Sequence, residues 1–189
     1  MELKFILAGI GGQGVIFVTK VLSQAALARG ERVMASENHG MSQRGGSVMS
    51  YVKIGGSDAP LIRRGTADVL VAFDRVEAIR NVLFVRPGGS VFVNSPNGLE
   101  PAVTKRLAEL GTGVHALNAD ARAKELGAPA AANLIVLGYA AAREALGVTL
   151  DDLKGAVRTL GPARAVEMNL KALEVGASEA TKAEARATP

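Results

Sequence analysis

Gly9, Gly11 and Gly14 stand at the spacing G-x-G-x-x-G within Gly9-Ile10-Gly11-Gly12-Gln13-Gly14. Glycines so placed permit a tight turn at Gly9, close approach of a ligand to the backbone at Gly11, and exposed N–H groups where a following helix begins. A phosphate is the natural guest there. Lys20 lies about two turns further on, and a helical side chain leans back toward the N-terminus, so its ammonium can add charge near that phosphate. Plainer roles are open to both: strand-to-helix packing for the glycines, and a solvated helix surface for Lys20.

A second concentration of chemistry is Glu37-Asn38-His39-Gly40-Met41-Ser42-Gln43-Arg44-Gly45-Gly46. So many donors and acceptors are costly to order unless they find partners. His39, Gln43 and Arg44 are its candidate functional residues, and the Arg44 guanidinium can clamp a carboxylate or phosphate at two points. A turn network closed around Gly40 is the competing account, and for His39 alone a structural hydrogen bond is simpler than acid–base catalysis. Glu37 stands where dinucleotide enzymes hold the ribose hydroxyls, which keeps an NAD-linked dehydrogenase open. No proton-transfer pair follows on a downstream strand, so such an enzyme would be under-equipped.

These residues need elements to hold them. Leu3 to Ala8 reads as a buried strand, Gln13 to Arg29 as a helix stopped at Gly30, and Glu31 to Ser36 as a second strand. Joined by a crossover helix, the two strands should be parallel. Residues 37–46 lack periodicity and read as a loop, and Ser47 to Ile54 alternates as a strand. Further strands are expected at Asp68 to Phe73, Ser90 to Asn94 and Val114 to Leu117, with helices near Arg75 to Val85 and Pro101 to Leu110. After Pro129 the pattern is helical, at Ala131 to Leu146, Leu150 to Leu160 and Pro162 to Val175. The expected class is α/β: a Rossmann-like, mostly parallel sheet flanked by helices, with a helical C-terminal portion. One domain is expected over 1–176, and 177–189, without a clear apolar face, reads as a frayed helix or disordered tail.

Composition removes several function classes. The 189 residues include no cysteine, which excludes disulfides, thiolate catalysis and cysteine-ligated iron–sulfur clusters on this chain. His39 and His115 lack companions at metal-ligand spacing, so no metal site is expected. The charge of +4 is scattered and aromatics are only 4%, which argues against nucleic-acid binding. No apolar run reaches the roughly 18 residues of a membrane span, and the first ten residues do not resemble an export signal. No membrane contact is expected, and a cytoplasmic location is.

The glycine motif together with Glu37-Asn38-His39-Gly40-Met41-Ser42-Gln43-Arg44-Gly45-Gly46-Ser47 resembles the gamma-type subunit of 2-oxoacid:ferredoxin oxidoreductases (the pyruvate/ketoisovalerate oxidoreductase catalytic domain). Within that family it is most similar to the beta subunit of the indolepyruvate enzyme. Weaker echoes lie in Asn133-Leu134-Ile135-Val136-Leu137-Gly138 and Asn169-Leu170-Lys171-Ala172. The resemblance implies a subunit inactive alone. Partner chains carry thiamine diphosphate with magnesium and [4Fe-4S] clusters, and a 2-oxoacid is oxidatively decarboxylated to an acyl-coenzyme A and carbon dioxide. Electrons leave to ferredoxin or to an NAD-reducing subunit. Aryl substrates such as indolepyruvate or phenylglyoxylate are favoured by the resemblance, with pyruvate and branched-chain acids open.

The resemblance also places the glycine loop at the coenzyme A entry, with Gly9, Gly11, Gly12, Gln13, Gly14 and Lys20 toward its phosphates. His39, Gln43 and Arg44 then either line the approach to the thiamine site or lock the subunit against its partners. A stand-alone NAD(P)-binding dehydrogenase and a nucleotide-binding regulatory module remain the alternatives.

Overall fold

The computed structural model describes residues 2–39, 45–56 and 58–187. Six strands form one sheet: β1 (Leu3–Ile10), β2 (Val33–His39), β3 (Ser47–Ile54), β4 (Ala67–Ala72), β5 (Val85–Asn94) and β6 (Gly113–Leu117). The helices are α1 (Val15–Ala28), α2 (Arg75–Asn81), α3 (Pro101–Glu109), α4 (Ala119–Glu125), α5 (Ala132–Ala142), α6 (Leu150–Leu160) and α7 (Val166–Ala187).

The strand order is β2-β3-β1-β4-β5-β6. β1, β4, β5 and β6 are parallel neighbours, while β3 runs antiparallel between β1 and β2. β1 and β2 therefore share a direction, as a crossover helix requires, but they do not touch. β3 occupies the place beside β1 that a simple β-α-β pair would give to β2. The sheet is mixed, with its parallel part as expected.

Two apolar layers cover the sheet. Phe5, Leu7, Val52, Val71 and Phe92 face α1, α4, α5, α6 and α7. Ile6, Ala8, Leu70, Val91 and Val93 face α2 and α3. Alternate residues of β1 thus go to opposite cores, and Phe5 to Ala8 are all fully buried; a strand covered on both faces reads as a continuous apolar run.

Helix ends follow local chemistry. Gly30, at φ +81°, lets the chain turn left-handed after α1, and the Glu31 N–H reaches back to the Ala26 carbonyl. Thr149 and Asp152 cap each other's backbone at the start of α6.

Several element limits also differ from expectation. β2 continues through Glu37, Asn38 and His39, since its ladder with β3 supplies their backbone bonds; the first part of the expected loop is strand. β5 begins five residues early, at Val85. The short α4 was not anticipated. α7 runs on through Ala187, and Ala180 is only 1% exposed, so helix continues beyond 176 with Ala180 against the core.

Candidate functional site

The connections from β1 and β4 leave on opposite faces of the sheet, α1 on one and α2 on the other. Such a reversal opens a crevice beyond the carboxyl ends of the two strands. Gly9-Ile10-Gly11-Gly12-Gln13-Gly14 lies there.

Each glycine of the turn has a distinct reason. A Cβ on Gly9 would sit 2.9 Å from both Gln13 Oε1 and Val15 Cγ2, so the strand end and helix start meet too closely for a side chain. Gly12 takes φ +101° and Gly14 φ +73°, a left-handed backbone that strains other residues. A Cβ on Gly14 would also come 2.3 Å from Asn133 Nδ2, whereas nothing lies within 4 Å of one on Gly12. Gly12 is the open point of the turn. The Gly11 N–H, by contrast, donates to the Gly46 carbonyl at 2.8 Å, tying the glycine turn to the end of the polar segment rather than leaving that amide for a ligand.

Side chains complete the turn. Gln13 Oε1 accepts the Ile10 N–H at 2.8 Å. Asn133, on α5, donates to the carbonyls of Gln13 at 2.9 Å and Gly14 at 3.4 Å, and its own oxygen accepts the Leu134 N–H. Asn133 belongs to a segment whose resemblance was visible in the sequence but whose role was not. It stitches α5 to the glycine turn.

The start of α1 is uncapped. Gly14 carries no side chain, no acidic residue lies in the first turn, and the first helical bond runs from the Val18 N–H to the Gly14 carbonyl. The amides of Val15, Ile16 and Phe17 precede that bond and have no carbonyl within the helix to take them, which gives the end partial positive charge. Lys20 is exposed on the same helix.

Beside the turn lie two adjoining cavities of about 330 and 120 Å³, both lined by Gln13, Phe73, Asn94 and Asp120. Asp74 and Arg75 also line the larger one, but each has work of its own. Asp74 caps α2 by accepting the Val76 and Glu77 N–H groups, and Arg75 pairs with Glu100 at 2.6 Å. Asn94 is buried and bridges strand ends, donating to Phe73 O and accepting from Ala119 N–H. The crevice therefore offers polar groups on a rigid frame, with Gly12 and Gln13 of the glycine turn and the Asp120 carboxylate among its lining.

The remaining sequence candidates are distributed unevenly. His39 ends β2, two strands away from the turn. Gln43 and Arg44 lie outside the described residues. Glu37 pairs with Ser50, which pairs with Leu7 across β3. Two strand spacings, about 10 Å of backbone, thus separate it from β1. In a dinucleotide site the acidic strand is the immediate neighbour of the first strand, so the inserted β3 removes the geometry for a ribose contact by Glu37. His115, on β6, stacks on Phe92 at 4.7 Å; burial, and then the nearby Arg143 charge, hold its pKa below the usual histidine value.

Sequence reasoning missed Glu77. It is 1% exposed, on α2. It accepts the Ser47 hydroxyl at 2.6 Å and pairs with Arg80 at 2.5 Å.

Over residues 4–179 the sequence matches the family described as pyruvate ferredoxin/flavodoxin oxidoreductase. The chain belongs to that family. Among its relatives, the indolepyruvate oxidoreductase subunit IorB of Archaeoglobus fulgidus is 32% identical over 193 residues, covering 95% of this chain and 96% of that one. The keto/oxoacid ferredoxin oxidoreductase gamma subunit from Geobacter sulfurreducens superposes with a TM-score of 0.74 at 26% identity, over 95% of this chain and 99% of the other. The 2-oxoglutarate:ferredoxin oxidoreductase from Magnetococcus marinus, solved with 2-oxoglutarate, coenzyme A and succinyl-CoA bound, shares the fold at a TM-score of 0.79 and 23% identity. That match covers 96% of this chain and 31% of the other.

The chain is thus a gamma-type subunit of the 2-oxoacid:ferredoxin oxidoreductase family. The sequence has no thiolate for a cluster, and no three His, Asp or Glu side chains gather as a metal site among the described residues. No described helix is long and apolar enough to cross a membrane.

Proposed function

We propose that this subunit forms the coenzyme A side of a thiamine diphosphate-dependent 2-oxoacid:acceptor oxidoreductase acting on an aryl 2-oxoacid such as indolepyruvate or phenylglyoxylate. The observation that carries this reading is the uncapped start of α1 at the strand-reversal crevice. It offers free amides to an anion and no competing carboxylate in the first turn. Coenzyme A is phosphate-rich, and its pantetheine arm can lie along the polar crevice.

In this reading Gly12, Gln13 and Gly14, with the first amides of α1, hold the phosphates, and Lys20 adds charge. Gly9 and Gly11 shape the turn. Thiamine diphosphate with magnesium and [4Fe-4S] clusters, on partner subunits, supply the decarboxylating and electron-accepting chemistry. Ferredoxin, or an NAD-reducing subunit, receives the electrons. His39, Gln43 and Arg44 belong to the approach to that shared site or to the subunit interface. The working enzyme is cytoplasmic. The inserted β3 disfavours a stand-alone NAD(P) dehydrogenase, because it parts Glu37 from the turn.

The test is 2-oxoacid oxidation with a viologen dye, with and without coenzyme A, comparing this chain alone with the complex that purifies with it. Turnover in the complex only, dependent on coenzyme A, is expected. In that complex Lys20→Ala should raise the KM for coenzyme A about three- to tenfold, as for one partly exposed charge contact, and leave that for the 2-oxoacid alone. Arg44→Ala should impair either turnover or assembly. Nicotinamide reduction by the isolated chain would overturn the reading.

A further inference from the structure

Glu77 is a carboxylate buried in the body of the fold. It sits among apolar neighbours on the α2 face, 1% exposed, where an aliphatic residue would pack without the cost of desolvating a charge. Its two oxygens are each committed: Oε2 accepts the Ser47 hydroxyl at 2.6 Å, and Oε1 pairs with Arg80 at 2.5 Å. The first of these has the short length of a charge-assisted bond.

Ser47 is the first residue of β3 and lies opposite Ile10 in the ladder. The residue before it, Gly46, presents the carbonyl that takes the Gly11 N–H at 2.8 Å. A continuous line of contacts therefore runs from Arg80 through Glu77, Ser47 and Gly46 to the middle of the glycine turn. Asn133 holds the same turn from α5, on the opposite face of the sheet. Gly11 and Gly12 have no side chains with which to fix themselves, so beyond the bonds between Ile10 and Gln13 within the turn it is held from outside, by one polar strut on each face.

We infer that Glu77 is a positioning residue: through Ser47 and Gly46 it sets the conformation in which the glycine turn presents its amides to an anion. This rests on the coenzyme A reading above, and its test is chosen to separate the two.

The assembled complex would carry Ser47→Ala, Ser47→Thr or Glu77→Gln. Backbone hydrogen exchange would be followed in peptides spanning 9–14, with peptides of β4 as control, alongside the KM values for coenzyme A and for the 2-oxoacid. Ser47→Ala and Glu77→Gln should quicken exchange across 9–14 about tenfold, the effect of losing one charge-assisted hydrogen bond, with β4 unmoved. The KM for coenzyme A should rise by a similar factor while that for the 2-oxoacid stays, and Ser47→Thr, which keeps the hydroxyl, should restore both. Wild-type exchange rates at 9–14 in Ser47→Ala would overturn the inference. Faster exchange with an unchanged coenzyme A KM would uphold the strut and take coenzyme A out of the turn. Should Glu77→Gln fail to assemble, Ser47→Ala decides alone, since it removes only one partly buried hydroxyl.

Discussion

At the scale of single residues, the glycine turn depends on polar side chains distant in sequence. Asn133 donates to the carbonyls of Gln13 and Gly14, the second of which also takes the Val18 N–H, and its oxygen accepts the Leu134 N–H. Asn133→Ala should therefore cost about 1–3 kcal/mol, the usual penalty for stranding buried polar groups, read as a lower midpoint in urea with an unchanged slope. If the midpoint did not move, water would be replacing the amide and the stitch would carry no stability. Gly14 was legible from spacing because a positive φ leaves its mark in the residue type itself. Asn133 and Glu77 were not legible in the same way. A buried Asn before the apolar run Leu134 to Leu137 was a faint signal, and Glu77 with Arg80 reads in sequence as an ordinary surface pair at i, i+3. Only the packing of α2 against the sheet reveals that one member is buried and faces Ser47.

At the scale of elements, two helical glycines of similar appearance have opposite meanings. Gly138, in α5, lies so close to α7 that an added Cβ would fall 2.1 Å from the Leu173 carbonyl, while Gly155, in α6, has nothing within 4 Å. Gly138→Ala should push the helices apart and destabilise by about 1–3 kcal/mol. Gly155→Ala should stabilise by up to about 1 kcal/mol through helix propensity alone. Thermal melts of the two variants check both signs, and equal shifts would mean that the helix pair repacks freely. Strand existence was largely legible, with Ser47 to Ile54 coinciding with β3, because two-residue alternation is the strand's own side-chain period, although Ser50 to Ile54 prove buried on both faces. Strand neighbours were not. Alternation says which face a side chain takes but not which strand lies alongside, so β3 entering between β1 and β2 left no local trace. The same limit hid the extension of β2 through His39, whose polar residues are tolerated on an exposed edge.

At the scale of the whole molecule, α7 continues past residue 176 to Ala187. Ala180 is buried, Ala183 leans on the same core, and Glu179 reaches Arg122 at 3.5 Å. Removing 177–189 should cost roughly 1 kcal/mol, mostly the buried methyl, and lower the melting temperature by roughly 2–4 °C. An unchanged melting temperature would return the domain limit to 176; loss of folding would make the end of α7 integral. The sheet order bears also on how the chain is made. β1 has no neighbour close in sequence: one flank waits for Ser47 to Ile54 and the other for Ala67 to Ala72. On a ribosome adding about 5–20 residues per second, the Phe5 to Ala8 run waits roughly 2–9 s before its first partner strand has even been synthesised. α1 is the first packing partner of β1 to be made, covering Phe5 and Leu7, so the helix that follows the glycine turn in the finished subunit is also the earliest cover available to an unpaired, adhesive strand in the nascent one.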